Sequence, residues 1–318
     1  MTILGTGSAL PELVVSNDDL AKFLDTNDEW ITTRTGIRSR RIMREETLMD
    51  LGVTASTAAL NDAKIMVKDI DYILCSTVQG DAITPSLACT LQGALGADCP
   101  ALDINGACSG FVYGLDMAQA LIDSGKAKHI LLVCSEGMSR LANWTDRSTC
   151  VLFGDGAGAV ILGEGDGLKA TRLTSQCDES MLNAYPEPGN SPFGVRERSR
   201  VGFFMSGPDV YKFAVSNATK DILYVLEAST LTPADIDFFV LHQANARIVE
   251  AVRSRLKQPT EKFPSNIDET GNTSSASIPI LLDKLNRDHR LKNGMMIAMS
   301  AFGAGLTTAA CVIKWTKD

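Results

Sequence analysis

Short apolar runs alternate with longer amphipathic segments along much of this chain. The runs have four or five residues between polar neighbours, a pattern typical of buried strands, and they cover residues 72–76, 130–134, 238–241 and 296–300. Residues 111–122 and 278–285 carry apolar side chains at the spacing of amphipathic helices. Strands that alternate with helices predict an α/β fold whose central strands are largely parallel and buried on both faces.

The same pattern occurs twice in the chain. Three pairs of segments resemble each other at offsets of 165 or 166 residues: 69–73 and 235–239, 106–109 and 271–274, and 129–134 and 295–300. A nearly constant offset predicts two related α/β halves, residues 1–165 and 166–318, packed about a pseudo-twofold axis. The glycine-rich residues 163–167 form the predicted junction.

Composition and charge limit the class of protein. The 318 residues are 45% hydrophobic and 21% charged, which is ordinary for one large or two smaller globular domains. No apolar run approaches the roughly 18 residues of a membrane span, and no basic segment of a secretory signal is present. We therefore expect a soluble cytoplasmic protein without a membrane partner. The net charge of −8 argues against nucleic acid as a partner, because binding phosphates requires a basic surface.

The eight cysteines and three histidines do not indicate a metal site. No two cysteines have the Cys-x-x-Cys spacing, and the histidines are too few and too scattered for a zinc site. A chain of this length and composition also does not suggest a disulfide framework. Most of the cysteines are expected to be small core residues.

Cys108 stands in a different setting from the other cysteines. It lies in the small-residue segment NGACSG, residues 105–110, between a predicted strand and a predicted helix. A tight elbow there would expose the sulfur at a helix N-terminus, where the helix dipole favours the nucleophilic thiolate. The alternative is a thiol packed inside a small-residue turn.

Two further residues are candidates for chemistry. His242 directly follows a predicted strand, where parallel sheets place catalytic groups, and imidazole is the most common acid–base catalyst. A histidine that merely satisfies a strand end is the alternative. Asn272, in the segment GNTS, is by itself an ordinary turn residue. The internal repeat, however, places Asn272 and Cys108 at equivalent turns, which could face each other in a composite site.

Together and in order, these motifs resemble those of the β-ketoacyl-[acyl carrier protein] synthase III family. The similarity runs along nearly the whole chain, and it is carried by the segments DEWI (28–31), RTGIR (34–38), NGACSG (105–110), FGDGAGA (153–159), HQAN (242–245), GNTS (271–274) and AFGAG (301–305). Each motif is weak alone, but the combination is specific. The resemblance implies a thiolase fold, in which two pseudo-twofold-related α/β halves form a five-layered αβαβα core.

The resemblance also implies the reaction. Cys108 would take an acyl group from acyl-CoA, and malonyl-ACP would lose carbon dioxide to give an enolate that attacks the thioester. The product would be 3-oxoacyl-ACP, and the reaction would initiate type II fatty acid biosynthesis. His242 and Asn272 would donate hydrogen bonds to the developing negative charge without removing a proton. The resemblance implies no cofactor, since acyl-CoA and malonyl-ACP are substrates.

Neighbouring residues receive roles from the same resemblance. The backbone N–H groups of Cys108 and Ala304 would bind the thioester oxygen, and Phe302 would wall the site. Many relatives have glycine where Ala304 stands, so this N–H is available only if the backbone tolerates a Cβ there. Trp30 and Arg147 would flank the adenine of CoA. Arg34 would lie near the CoA phosphates, and Asn245 would contact the pantetheine.

The carrier protein is acidic, so its docking surface should be basic. Arg247 lies on the predicted helix 246–257, opposite an apolar face, and we expect it to contact the carrier protein. Further positive charge could come from Lys212, Arg253, Arg255 and Lys257.

The acyl pocket is implied to lie partly near Thr84, across the interface of a homodimer. Many short-chain relatives have phenylalanine where Thr84 falls. The smaller side chain predicts a roomier pocket and therefore longer or branched primers.

Two other functions fit the sequence. The same fold and nucleophile could serve a different acceptor, as in a related acyltransferase or specialised-metabolite synthase. Malonyl-dependent release of carbon dioxide would distinguish the fatty acid synthase from these enzymes. The chain could also be a non-catalytic acyl-binding protein, in which case Cys108 would not become acylated.

Overall fold

The computed structural model describes residues 1–186 and 202–317. Within these residues the strands are β1 (Thr2–Ala9), β2 (Leu13–Ser16), β3 (Ser39–Ile42), β4 (Tyr72–Ser76), β5 (Ala101–Ile104), β6 (His129–Gly137), β7 (Asp155–Gly163), β8 (Leu168–Ser175), β9 (Leu182–Tyr185), β10 (Gly202–Met205), β11 (Phe238–Leu241), β12 (Met296–Gly303) and β13 (Thr307–Lys314). The α-helices are α1 (Asn17–Ala21), α2 (Asp28–Thr35), α3 (Leu48–Ala63), α4 (Leu87–Leu95), α5 (Gly110–Asp123), α6 (Gly207–Ala228), α7 (Ala246–Leu256), α8 (Ile267–Thr270) and α9 (Ser277–Arg287).

The second of the two main sheets repeats the order of four of the five strands in the first. The first sheet has the order β1-β7-β6-β4-β5, and the second, read from the corresponding edge, has the order β8-β13-β12-β11. All strands of the first sheet come from residues 2–163 and all strands of the second from residues 168–314. The predicted assignment of residues 1–165 and 166–318 to separate halves stays a prediction.

The prediction of largely parallel strands is wrong in part, because both sheets are mixed. In the first sheet β4 is parallel to β5 and β6, whereas β7 runs antiparallel to β6 and β1. In the second sheet β12 is parallel to β11 and antiparallel to β13. Only residues 304–306 join β12 to β13, which is far too short for the crossover that a parallel pair requires. Burial of the central strands is as predicted, since every residue of β7 is buried.

The layers follow from which helix faces are apolar. Helices α5 and α9 lie between the two sheets, and their apolar stripes, including Phe111 and Leu282, form the central core with the inner faces of both sheets. Full burial of such a side chain contributes roughly 1.5–3 kcal/mol to folding. Helices α3 and α4 cover the outer face of the first sheet, and α6 and α7 cover that of the second. The structure therefore has the predicted five-layered αβαβα core.

The backbone of the second half repeats that of the first, but the offset between equivalent residues differs from the offset that the sequence predicted. Tyr72 pairs with Ile130 and Phe238 pairs with Ile297, so the second half carries one additional residue between its paired parallel strands. The turns before α5 and α9 cover residues 107–109 and 274–276. The structural counterpart of Cys108 is therefore residue 275, and Asn272 lies three residues earlier.

Among residues 1–186 and 202–317, no helix combines the length and the apolar character that crossing a membrane requires.

Candidate active site

A cavity of about 610 Å³ extends from the protein surface to the contact between the two halves. Its lining runs from exposed basic side chains at the opening to the predicted reactive residues at the inner end: Arg34, Lys212 and Arg247, then Cys108, His242 and Asn272. The three motifs that carried the sequence argument thus converge on one cavity, although they lie far apart in the chain.

Cys108 lies on a strand–turn–helix elbow. Strand β5 ends at Ile104, Ala107 has a φ of 47°, and α5 begins at Gly110. A positive φ is uncommon for a residue with a Cβ, and here it turns the chain sharply before the helix. The end of β12 packs directly behind the elbow, because a Cβ added to Gly303 would lie 2.7 Å from the backbone nitrogen of Cys108.

The environment of Cys108 favours the protonated thiol. Burial raises the pKa of Cys108 to about 12; the neighbouring Ser274 hydroxyl acts in the opposite direction, and the negative charge of Glu136 adds to the increase. Desolvation of the sulfur therefore opposes the effect expected from the helix N-terminus. A base must accept the thiol proton when the sulfur attacks.

His242 is a buried, neutral imidazole. It directly follows β11 and is 2% exposed, and burial lowers the pKa of His242 to about 3. Its Nδ1 lies 2.7 Å from the Ser277 hydroxyl, at the first turn of α9. The Phe302 ring contacts it edge-on, with 5.3 Å between ring centroids. These two contacts hold the ring, and Nε2 makes no hydrogen bond to any of residues 1–186 and 202–317.

Asn272 is oriented by its own turn. Its Oδ1 accepts a hydrogen bond of 2.8 Å from the backbone N–H of Ser274. Its backbone N–H donates to Leu152 and its carbonyl accepts from Gly154, which ties the segment to the other half of the protein. With the amide oxygen engaged, the Nδ2 group of Asn272 is the part of the side chain that can donate to a ligand in the cavity.

The backbone at Ala304 has an ordinary conformation. It lines the cavity and its φ is not in the positive range, so the Cβ that replaces the common glycine is accommodated without strain. Positive φ occurs instead at the next residue, Gly305, with a value of 137°.

The predicted CoA residues gather at the opening. The guanidinium carbons of Arg34 and Arg147 lie 4.6 Å and 5.1 Å from the centroid of the Trp30 ring system. Arg147 is also paired with the Asp25 carboxylate at 3.2 Å. An indole with exposed guanidinium groups beside it is suited to stack on a flat heterocycle and to contact phosphate.

Asn245 has a structural task at the cavity wall. Its Oδ1 caps α7 by accepting from the Arg247 N–H at 2.8 Å, and its Nδ2 donates to the Arg34 carbonyl at 3.0 Å. Only the second Nδ2 proton is left for a ligand.

Helix α7 presents Arg247 to solvent. The predicted apolar face of the helix is buried, and Arg247 lies exposed at the opening, 5.9 Å from the centroid of the Tyr211 ring. Lys212 also lines the opening, whereas Arg253 is paired with Glu250 on the same helix. Arg247 and Lys212 are therefore the basic residues of this group that the cavity brings together.

Thr84 does not line the cavity of its own chain. It lies in an exposed segment next to Ile83, which is 100% exposed. The predicted contribution of Thr84 to an acyl pocket across a subunit interface stays a prediction.

Sequence reasoning missed the polar residues behind the site. Glu136 is 1% exposed, and burial raises its pKa to about 7. Its carboxylate accepts hydrogen bonds from Ser275, and the next-but-one residue, Ser277, contacts His242. The available signals were a single glutamate at the end of an apolar strand and the serine-rich segment 273–277.

The described parts of the chain contain no cluster of three or more His, Cys, Asp or Glu side chains that could hold a metal ion.

Comparison with known proteins shows full-length similarity to one family. Residues 102–179 match the family described as 3-oxoacyl-[acyl-carrier-protein] synthase III, and residues 226–315 match its C-terminal region. The β-ketoacyl-[acyl-carrier-protein] synthase III of Caldanaerobacter subterraneus subsp. tengcongensis is 45% identical, over 99% of this chain and 98% of that protein.

Solved structures show the same fold. The crystal structure of 3-oxoacyl-[acyl-carrier-protein] synthase III from Aquifex aeolicus has 40% identity and a TM-score of 0.93, and the match covers 99% of each chain. The priming β-ketosynthase of the R1128 polyketide pathway has 36% identity and a TM-score of 0.91, over 99% of this chain and 96% of that one. The resemblance identified in the sequence is confirmed.

Proposed function

This chain belongs to the 3-oxoacyl-[acyl-carrier-protein] synthase III family, and from that membership we propose that it condenses an acyl-CoA primer with malonyl-ACP to initiate fatty acid synthesis. The observation that carries the proposal is the convergence of Cys108, His242 and Asn272 on one cavity. The cavity is open to solvent at a basic edge and reaches buried hydrogen-bonding groups at its inner end.

The first step is transfer of the acyl group. The Cys108 sulfur attacks the acyl-CoA carbonyl, a C–S bond forms, and CoA leaves as its thiol. Neutral His242 lines the same cavity, and we assign it the relay of the thiol proton to the departing CoA sulfur while the new C–S bond forms, so that no free thiolate or imidazolium accumulates. The backbone N–H groups of Cys108 and Ala304 stabilise the oxyanion that forms on the acyl carbon.

The second step is decarboxylative condensation. The C–C bond of malonyl-ACP breaks, carbon dioxide leaves, and the electron pair remains as an enolate. Nε2–H of His242 and Nδ2–H of Asn272 donate to the enolate oxygen. The enolate carbon attacks the Cys108 thioester, the C–S bond to Cys108 breaks, and the departing sulfur takes up one proton from solvent, which gives 3-oxoacyl-ACP and the free cysteine.

The opening of the cavity supports this choice of substrates. Trp30, Arg34 and Arg147 form the clamp for the CoA nucleotide, and Arg247 receives the acidic carrier protein. Acyl-CoA and malonyl-ACP enter as substrates, and no cofactor takes part. We include a homodimer in the proposal, because the fully exposed Ile83 beside Thr84 would gain burial against a second subunit.

The decisive experiment measures radiolabelled carbon dioxide released from carboxyl-labelled malonyl-ACP, with Cys108 acylation followed by mass spectrometry. We expect release that depends on acyl-CoA in the wild type, and severe loss with intact acylation in Asn272→Ala. Asn286→Ala is the matched control, because Asn286 is also a hydrogen-bonded asparagine but contacts Thr6 and Asp62 instead. Acylation without carbon dioxide release would indicate a different acceptor, and absence of acylation would indicate an acyl-binding protein.

A further inference from the structure

Glu136 is a buried carboxylate that joins the two halves behind the reactive residues. It lies near the end of β6, and its Oε2 accepts from the backbone N–H of Val78 at 2.9 Å. Its Oε1 accepts from the Ser275 hydroxyl at 2.6 Å and from the Ser275 N–H at 3.3 Å. A carboxylate that accepts three hydrogen bonds without solvent is a strong and directional anchor.

The segment that Glu136 anchors also carries the contacts of two reactive residues. Within residues 274–277, the Ser274 N–H holds Oδ1 of Asn272 at 2.8 Å, and the Ser277 hydroxyl lies 2.7 Å from Nδ1 of His242. Ser274 has a φ of 50°, so the turn has an uncommon backbone conformation that its surroundings must maintain. Ser275 lies between these two contacts and is the residue that donates hydrogen bonds to Glu136.

We propose that Glu136 is a positioning residue for the condensation step, and that it acts by holding the turn at Ser275 so that Asn272 and His242 present their N–H groups together to the enolate oxygen. The inference rests on the proposed function for its reaction. Cys108 is carried by a different turn, 107–109, and its acylation uses His242 alone, whereas the enolate needs His242 and Asn272 together, so loss of the anchor should slow condensation more than acylation.

The protein contains a matched control for this proposal. Asp155 is also a fully buried carboxylate and also accepts one serine hydroxyl and two backbone N–H groups, those of Ser139 at 2.6 Å and 2.8 Å and that of Met43 at 2.9 Å. Asp155 makes no contact with the 272–277 segment among its hydrogen bonds to described residues. Glu136→Ala with Ser275→Ala can therefore be compared with Asp155→Ala and Ser139→Ala.

The experiment measures two rates for each variant: acylation of Cys108 by acetyl-CoA, and carbon dioxide release by the acylated enzyme. In Glu136→Ala and Ser275→Ala we expect the decarboxylation rate to fall more than the acylation rate, so that the ratio of the two rates is lower by about 10- to 100-fold, the scale of a misplaced catalytic group. The Glu136→Ala/Ser275→Ala double variant should lose no more than Glu136→Ala alone, since both act through one contact. In Asp155→Ala and Ser139→Ala the ratio of the two rates should not change.

Amide hydrogen exchange gives a readout that needs no substrate. We expect faster exchange at residues 272–277 in Glu136→Ala than in Asp155→Ala. An unchanged rate ratio in both Glu136→Ala and Ser275→Ala, or equal changes in the control pair, would overturn the proposal. If Glu136→Ala does not fold, Ser275→Ala decides. A wild type without decarboxylation would reject the proposed function, and unaltered exchange at the turn would then reject the positioning role independently.

Discussion

The Ser277 hydroxyl lies 2.7 Å from Nδ1 of His242, and this contact is compatible with both neutral tautomers of the imidazole. A hydroxyl can donate to Nδ1 or accept from it. When it donates, Nε2 carries the proton and can stabilise the enolate; when it accepts, Nε2 is free to take the thiol proton of Cys108. The backbone N–H of Gln243 also approaches the Ser277 oxygen, at 3.4 Å, which leaves both arrangements open because the oxygen has two lone pairs.

Replacing Ser277 with alanine should therefore impair catalysis more than folding. We expect Ser277→Ala to lower the decarboxylation rate by about tenfold or more, because a buried imidazole nitrogen loses its partner. Ser56→Ala is the control, since Ser56 is another buried helical serine whose hydroxyl bonds, among the described residues, only to the carbonyl of Gly52 in its own helix. Equal effects of the two substitutions would mean that the contact to His242 has no catalytic role.

Gly303 should tolerate no side chain. A Cβ there would lie 2.7 Å from the Cys108 nitrogen and 3.0 Å from the Ala107 Cβ, so Gly303→Ala must displace the elbow that carries the nucleophile. We expect the rate of Cys108 acylation to fall by about 100-fold, as for other small displacements of a reactive group. Gly93→Ala, which meets nothing within 4 Å, should acylate at the wild-type rate. Wild-type acylation in Gly303→Ala would show that the close approach is not required.

Alkylation of Cys108 should report a protonated thiol. Because burial raises the pKa of Cys108 to about 12, iodoacetamide should react faster with each increase in pH, without a plateau between about pH 6 and 9.5. Subtracting the rate of Cys108→Ala removes the contribution of the exposed cysteines, Cys89 and Cys177. A plateau below about pH 8 would mean that the helix N-terminus outweighs desolvation.

His242 should make the protein sensitive to acid. Its pKa is 6.5 in the unfolded chain and is lowered to about 3 by burial, so protonation favours unfolding and the stabilisation from this residue decreases as pH falls below 6.5. The effect is at most about 1.4 kcal/mol per pH unit. Chemical denaturation of wild type and His242→Gln measures it.

The comparison with His242→Gln is necessary because Glu136 acts in the opposite direction. Its pKa is raised from 4.5 to about 7, so its contribution to stability falls as pH rises through that range. The difference in unfolding free energy between wild type and His242→Gln should increase from about pH 4.5 to 6.5. A difference that is independent of pH would contradict a neutral buried histidine.

Much of this architecture could be predicted from local pattern. The apolar runs at 72–76 and 238–241 coincide with β4 and β11, because a strand buried on both faces needs consecutive apolar side chains. The stripe of Ile248, Val249 and Val252 predicted the buried face of α7. The family motifs likewise pointed to Cys108, His242 and Asn272, which share one cavity.

Other properties depend on segments that are distant in the chain. Glu136 and Ser275 are 139 residues apart, and no local sequence pattern near either residue predicts their contact. The helix end next to Cys108 is visible in the sequence, whereas the desolvation that opposes the thiolate depends on everything packed around the sulfur.

The sequence by itself determined the family, the central strands and helices of each half and the candidate reactive residues, since these depend on periodicity and on short motifs. Tertiary structure decided the antiparallel pairings, the one-residue difference between the halves, the neutral state of His242 and the anchoring of its turn by Glu136. The physical reason is that strand register, desolvation and buried hydrogen bonds are properties of the packed chain, where residues from both halves meet.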